Sequence, residues 1–170
     1  MGAGYERVLV VNSFSKTFAM TGWRMGYIIS EHAEAMLQVI KMQYYIAACS
    51  NDAMQHAILA TIEQASDYPE MVAAEFKQRR DLIVERLNAM PGVECHKPQG
   101  AIYVFPKVTV PGMTSQELAM VLLHDGVLCS PGSAFGPSGE GHLRFAYTIS
   151  QADISRGMDI VEATLNRLLK

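Results

Sequence analysis

The chain has 170 residues, of which 49% are hydrophobic and 18% are charged. This balance is typical of a folded globular protein and excludes a disordered one. The formal net charge of -3 gives no basic surface for nucleic acid, and no apolar run approaches the roughly 18 residues that would span a bilayer.

The cysteine and histidine patterns exclude two further kinds of site. Cys49, Cys95 and Cys129 form an odd and widely spaced set, which is no disulfide framework. We therefore expect a reducing, cytoplasmic compartment, and the amino terminus shows no signal-peptide pattern. The five histidines lack the spacing of metal ligands, so we predict no metal site.

The first third of the chain reads as two strands followed by helices. The apolar run Val8–Val11 predicts a strand buried in a parallel sheet, and it leads directly into the segment Ser13-Phe14-Ser15-Lys16. That segment is predicted to be a loop at a strand's carboxyl end, where ligands bind in open α/β sheets. A second strand is expected at 27–29, after which Ser30 is predicted to cap a helix with an apolar face of Ala33, Met36, Leu37, Ile40 and Tyr44.

Two more helices and a change of pattern follow. Helices are predicted over about 52–65 and from the Asp67 cap to Met90, where Pro91-Gly92 ends the second. Beyond this point a capping box, Thr114 to Glu117, opens a helix that ends at Gly126, and Ser150 caps the last helix. Short strands are expected at 93–97, 101–105, 127–129 and 142–148. Interspersed strands and helices predict a compact α/β sandwich over about 91–170.

The residues near Lys16 in the sequence indicate a chemical role for it. Hydroxyl groups of Ser13 and Ser15 precede it, Gly22 permits close backbone approach, and Arg24 offers a planar set of donors suited to phosphate. A lysine amine condenses with an aldehyde to form a Schiff base. The combination suits a cofactor that carries both an aldehyde and a phosphate, whereas the simplest alternative is a solvated surface lysine.

The same segment permits a reading from another class of enzyme. Ser13-Phe14-Ser15-Lys16 is S-x-x-K, the nucleophile motif of penicillin-binding proteins and β-lactamases. Those enzymes also need an S-D-N element and a K-T-G strand. The chain has Ser50-Asn51-Asp52 in the wrong order and Lys16-Thr17-Phe18 in the wrong place, which counts against this alternative.

The segment 13–26 resembles the lysine segment of class I and II aminotransferases. The family pattern is S-x-S-K-x-[FY]-[GAS]-M-T-G-W-R-[LIVM]-G, and the chain reads SFSKTFAMTGWRMG. The segments 99–105, 131–136 and 143–146 are similar to further parts of the same family. The resemblance implies an α/β, fold-type I transferase dependent on pyridoxal 5'-phosphate (PLP). Residues 1–69 would be a partial large domain, and residues 70–170 would be the long interdomain helix with a complete carboxyl-terminal small α/β sandwich domain.

The resemblance also implies roles for individual residues. Lys16 would form the Schiff base with PLP and then move the proton, while Ser13 and Arg24 would bind the cofactor's phosphate. Arg144 would bind the substrate's α-carboxylate. The implied activity is amino transfer between an L-amino acid and a 2-oxo acid, in a homodimer or another self-associated form. Which amino acid is the donor stays open.

The resemblance covers only the carboxyl-terminal half of the family pattern. In the family, the acid partner of the pyridine nitrogen, the stacking aromatic and further phosphate donors precede the lysine by many residues. Only fifteen residues precede Lys16. We therefore expect a truncated chain with little activity alone, and we expect its apolar strands to self-associate. The alternative is a non-catalytic, stand-alone domain that acts as a partner or regulatory module.

Overall fold

The computed structural model describes residues 7–170. Residues 1–6, which belong to the predicted first domain and to the segment without a signal pattern, lie outside the described residues. The chain divides into two compact units, one ending at Met71 and one running from Val72 to Lys170, and the boundary falls within a helix. We call them the first unit and the second unit and describe each by itself.

The first unit contains two short strands, three helices and a 3-10 turn. In chain order these are β1 (Val10–Ser13), α1 (Phe14–Thr17), a 3-10 turn (Thr21–Trp23), β2 (Gly26–Ile29), α2 (Ala33–Ala47) and α3 (Asp52–Gln64). Helix α4 (Tyr68–Asn88) begins at the end of this unit and continues into the second. The predicted helices over 52–65 and from Asp67 onward are confirmed to within two residues at each end.

Strand β1 differs from the expectation of a buried parallel strand, which was wrong. It begins at Val10 and pairs antiparallel with β2, with Val10 opposite Ile29 and Ser13 opposite Gly26. Val11 is 71% exposed. The connection 14–25 contains only the four-residue α1 and a three-residue 3-10 turn, so it reverses the chain without the crossover helix that a parallel neighbour usually needs.

Helix α2 starts two residues later than the Ser30 cap predicts. His32 is the cap, because its Nδ1 accepts a hydrogen bond from the backbone N–H of Ala35 at 3.2 Å. The Ser30 hydroxyl instead donates to the carbonyl of Val8 at 2.7 Å. The same hydroxyl accepts the N–H of His32 at 3.1 Å, so Ser30 closes the turn before α2 and links it to the residues that precede β1.

The predicted apolar face of α2 is exposed to solvent in the described chain. Leu37, Ile40 and Tyr44 are 57%, 59% and 67% exposed. The helical period was correct, but nothing within residues 7–71 covers this stripe. Among those residues only Ile58, on α3, is a buried hydrophobic side chain.

The second unit is an antiparallel α/β structure. Its elements after α4 are β3 (Val93–Glu94), β4 (Tyr103–Val104), β5 (Lys107–Val108), α5 (Ser115–His124), β6 (Ser130–Pro131), β7 (Leu143–Ala146) and α6 (Gln151–Leu168). Strands β3 and β5 pair with each other, and β7 lies between β4 and β6. An isolated bridge between Lys107 and His142 joins the ends of the two ladders.

Most sequence signals in this unit are confirmed, but one strand was misplaced and β5 was not expected. Thr114 and Glu117 form the predicted capping box of α5, and Ser150 caps α6. The strand expected at 127–129 was wrong, because β6 occupies 130–131. The N–H of Val127 donates to the carbonyl of Leu122 at 2.8 Å, so this residue still belongs to the end of α5.

The core of the second unit is formed by α4, α5, α6 and the strands. Its most enclosed side chains, each at most 2% exposed, are Ile83, Leu87, Val104, Leu122, Leu143, Tyr147, Ile154, Val161 and Leu165. Leu143 and Phe145 of β7 are both buried in this core. Because side chains alternate along a strand, Arg144 projects from the opposite face of β7.

Candidate active site

The residues around Lys16 form one loop, residues 14–25, which we call the lysine loop. The β1–β2 pair closes it, and the N–H of Phe14 donates to the carbonyl of Met25 at 3.2 Å. Gly26 permits this closure, since a Cβ at that position would meet the carbonyl oxygen of Asn12 at 2.5 Å. The first and last residues of the loop are therefore neighbours.

Hydrogen bonds across the lysine loop tie its two halves together. The hydroxyl of Thr21 donates to the carbonyl of Ser15 at 3.0 Å, which links the 3-10 turn to α1. The Ser13 hydroxyl accepts from the N–H of Ser15 at 3.1 Å and so caps α1. These bonds fix the backbone on both sides of Lys16.

Lys16 is exposed in the last turn of α1. Within residues 7–170 no carboxylate lies within 4.0 Å of its amine in an ion pair. Lys16 therefore presents an accessible amine without a carboxylate partner among the described residues.

Arg24 holds an unusual backbone conformation at the end of the same loop. Its φ and ψ are 56° and 44°, in the left-handed region, and its Nη1 donates to the carbonyl of Thr21 at 2.8 Å. The left-handed region costs a non-glycine residue about 1–2 kcal/mol, and such residues concentrate at functional sites. One of five N–H donors is engaged in that bond, which leaves others for a phosphate.

Ser13 fits a phosphate less directly than Arg24 does. Its hydroxyl donates to the carbonyl of Met25 at 3.3 Å while accepting from Ser15. A hydroxyl carries one proton, so Ser13 can donate to a phosphate only by leaving that long bond. Of these two residues, Ser13 has its only proton engaged, whereas Arg24 keeps N–H donors free for a phosphate.

The S-x-x-K alternative finds no geometric support. A serine nucleophile needs a base within hydrogen-bond reach. In the described part of the chain the Ser13 hydroxyl contacts Met25 and Ser15 and makes no hydrogen bond to Lys16. The thiols offer no better nucleophile in the second unit, because burial raises the pKa of Cys95 and of Cys129 to about 11.

Aromatic side chains pack around the base of the lysine loop. Tyr27 lies against Phe14, with ring centroids 5.5 Å apart, and its hydroxyl accepts from the amide of Asn12 at 3.1 Å. Trp23 and Tyr27 are each 40% exposed. These contacts give Tyr27 a packing role at the base of the lysine loop.

Arg144 lies in the second unit, on β7. Its Nη2 donates to the hydroxyl of Ser130 at 3.1 Å, and its Cζ lies 4.5 Å from the ring centroid of Tyr103 and 4.7 Å from that of Phe135. Sequence reasoning missed these three neighbours. Alternation along 101–105 places Tyr103 on an exposed face, but only the register of β4 against β7 brings it to Arg144.

The described residues contain neither a metal-binding cluster nor a helix suited to span a membrane. No group of three histidine, cysteine, aspartate or glutamate side chains within residues 7–170 is arranged to hold a metal ion. Among the helices that the structure describes, none combines the length and apolar character that a bilayer span requires.

The family description "Aminotransferase class I and II" matches residues 2–161. The chain therefore belongs to this family, whose members depend on PLP, and the resemblance inferred from the lysine segment is confirmed. An aspartate aminotransferase of Pyrococcus abyssi is 37% identical over 164 residues, and an aromatic-amino-acid aminotransferase of Thermococcus litoralis is 35% identical over 164 residues. Each match covers 95% of this chain and 42% of the relative.

Solved structures agree with the sequence relatives. An aromatic aminotransferase from Pyrococcus horikoshii matches with a TM-score of 0.89 and 35% identity, over 98% of this chain and 45% of that one. An alanine aminotransferase from Pyrococcus furiosus matches with a TM-score of 0.85 and 34% identity, over 94% and 42%. The fold is that of the PLP-dependent fold-type I transferases, in part, since the chain spans less than half the length of the relatives it matches.

Proposed function

We propose that the protein is a PLP-dependent aminotransferase that transfers an amino group between an L-amino acid and a 2-oxo acid. The observation that carries this proposal is the lysine loop, in which an exposed Lys16 lies between Ser13 and Arg24 in one hydrogen-bonded hairpin. PLP supplies an electron sink to such a reaction when it is bound. The protein must supply the anchor, the proton carrier and the substrate's binding groups.

Each site residue has a separate task in this proposal. Lys16 would hold the cofactor by condensing with its aldehyde, with loss of water, and the amine freed by substrate would carry the proton at the reacting carbon. Arg24 binds the phosphate through the guanidinium donors that Thr21 leaves free, and Ser13 assists with its hydroxyl. Arg144 binds the α-carboxylate shared by amino acid and oxo acid. We assign residues 1–69 to the large domain and residues 70–170 to the interdomain helix and small domain.

Borohydride trapping tests the assignment of Lys16. PLP is added to the full chain, the product is reduced with borohydride, and modified lysines are mapped by mass spectrometry. We expect one dominant site at Lys16, lost in Lys16→Ala and retained in Lys41→Ala, whose lysine lies on exposed α2. Labelling scattered over surface lysines would contradict the proposal and would favour a non-catalytic domain.

A matched pair of aldehydes tests the phosphate role of Arg24. Pyridoxal has the same aldehyde as PLP but no phosphate. The variant Arg24→Asn removes the guanidinium while keeping a residue that tolerates the left-handed backbone. We expect labelling of Lys16 by PLP to fall in this variant and labelling by pyridoxal to stay the same. An equal fall with both aldehydes would mean that Arg24 only shapes the loop.

We expect slow turnover from the 170 residues alone. The chain spans 42% of the length of its sequence relatives, and efficient PLP chemistry needs an acid partner at the ring nitrogen in addition to the lysine. An assay of amino transfer on the purified chain checks this expectation. Turnover at about 1–1000 per second, the ordinary range for enzymes, would contradict it.

Self-association and a reducing compartment complete the proposal. Tyr45 and Ile46 on α2 are 83% and 74% exposed, and contiguous apolar surface of this kind is typical of protein interfaces. We therefore expect a homodimer or a larger assembly, which light scattering would detect; a monodisperse monomer would contradict it. The three free cysteines suit the cytoplasm.

A further inference from the structure

The guanidinium of Arg144 is held by groups from three different elements. Tyr103 comes from β4, Ser130 from β6, and Phe135 from the 3-10 turn Gly132–Phe135. The strand register fixes two of these neighbours, since Ser130 lies directly opposite Arg144 and Val104 lies opposite Phe145. Contacts from separate elements restrict the side chain more than a single contact would.

The turn that carries Phe135 is itself fixed. Gly132 and Gly139 approach so closely that a Cβ on either would overlap the other's backbone. The N–H of Gly132 donates to the carbonyl of His142 at 2.8 Å. The rings of Phe135 and Phe105 also form an edge-to-face pair with centroids 5.8 Å apart, and this contact further restricts the Phe135 ring.

Arg144 also differs in charge environment from the other arginines of its unit. Arg79, Arg80, Arg86, Arg156 and Arg167 each have a carboxylate partner within 4.0 Å. Arg144 has none among residues 7–170, although it is half-buried. A half-buried guanidinium stacked on rings and without an internal counter-charge is suited to an external carboxylate.

We propose that Tyr103 and Phe135 are positioning residues that hold Arg144 for the substrate's carboxylate. The inference rests on the role proposed above for Arg144. Aromatic rings contact the flat face of a guanidinium, which leaves the in-plane N–H donors free for a bidentate carboxylate. An arginine side chain has many rotamers, and one already confined by two rings loses less conformational entropy on binding.

Titration of the full chain with pyruvate tests this inference. Binding is followed by NMR through the Nε–Hε resonance of Arg144 in a ¹⁵N-labelled sample. The resonance is assigned by its loss in Arg144→Lys. Acetone, which resembles pyruvate but has no carboxylate, is the control ligand. We expect Tyr103→Leu and Phe135→Leu each to weaken pyruvate binding about 3- to 30-fold, the range of a cation–π contact. Tyr103→Phe and Phe135→Tyr keep the ring faces and should bind within about twofold of the unchanged chain.

The titration has two contrary outcomes, one against the positioning role of the aromatic residues and one against the carboxylate role of Arg144. If pyruvate shifts the Arg144 resonance equally in the unchanged chain and in both leucine variants, the positioning role is wrong while Arg144 remains a carboxylate site. If pyruvate has no more effect than acetone on the unchanged chain, the proposed role of Arg144 fails first. Both aromatic residues are partly exposed, 37% for Tyr103 and 52% for Phe135, so their replacement leaves the core intact.

Discussion

The two units of the chain differ in how much apolar surface they bury for themselves. The second unit encloses a core of eighteen buried hydrophobic residues. Among residues 7–71, Ile58 alone reaches that degree of burial, although α2 is rich in leucine, isoleucine, methionine and tyrosine. Burial of apolar area is the main stabilising term in folding, at about 25 cal/mol per Å².

The hydrophobic core lies in the second unit, whereas Lys16 lies in the first. The second unit buries a hydrophobic core of its own. The first unit is held mainly by helix caps, hairpin hydrogen bonds and turns. Lys16, Ser13 and Arg24 all lie in the weaker unit. The first unit therefore gains less of its stability from apolar burial than the second unit does.

The largest expected effect contrasts one leucine from each unit. Leu122 on α5 is fully buried, and Leu122→Ala should cost about 2–5 kcal/mol of unfolding free energy through lost burial and a cavity. Leu37 on α2 is mostly exposed, and Leu37→Ala should change the free energy by less than about 0.5 kcal/mol. Urea unfolding followed by far-UV circular dichroism measures both; equal costs would mean that α2 is buried in solution.

The reactivity of native cysteine thiols compares the two units without any amino-acid substitution. Cys49 is exposed and Cys95 is buried, and burial raises the pKa of the Cys95 thiol to about 11. Iodoacetamide at neutral pH should modify Cys49 at least about a hundredfold faster, because Cys95 must wait for local opening and is rarely a thiolate. Mass spectrometry of timed samples gives the two rates. Comparable rates would show that the second unit opens readily.

Helices were predictable from the sequence where their signals are local. The capping residues of α5 and α6, Thr114 and Ser150, each satisfy backbone donors within three residues, so the sequence contains the whole interaction. Strand pairing depends on distant residues, which is why β5 was missed and β1 was expected to be parallel. A two-residue strand such as Lys107–Val108 carries no usable period.

The same distinction divides the site. Ser13, Lys16 and Arg24 could be proposed together as cofactor-binding residues because one short segment of the chain contains them all. Ser130 and Phe135 could not be connected to Arg144, since their contacts depend on the β6–β7 register and on a turn closed by two glycines. A motif therefore proposes the reacting groups, whereas only the fold shows which side chains contact them.

A pair of alanine-to-glycine changes tests backbone strain within the first unit. Ala19 has a φ of 54°, so Ala19→Gly should stabilise the unit by about 1 kcal/mol. Ala60 lies inside α3, where Ala60→Gly should destabilise by about 0.5–1 kcal/mol. Trp23, the chain's single tryptophan, gives a fluorescence signal for this unit alone. Changes of the same sign would contradict the strain at Ala19.

The smallest expected effect is the response of the second unit to acid. The hydrogen bond to Lys97 lowers the pKa of Asp81, the bond to Thr164 lowers that of Asp125, and the Ser115 backbone lowers that of Glu140. A lowered pKa in the folded state means that the charged form favours folding. This contribution is complete above the unfolded pKa of about 4 and is lost as the pH falls through the folded values.

Glu140 offers the sharpest test because both of its carboxylate oxygens are engaged. They accept from the N–H and the hydroxyl of Ser115, at 2.6 and 2.9 Å, at the start of α5. Urea midpoints measured between pH 6 and pH 3 should fall with acid in the unchanged chain and fall less steeply in Glu140→Gln. Glu63→Gln, on exposed α3, is the matched control and should keep the original slope. If Glu140→Gln keeps it too, the carboxylate is hydrated in solution and the start of α5 relies on its Thr114 cap alone.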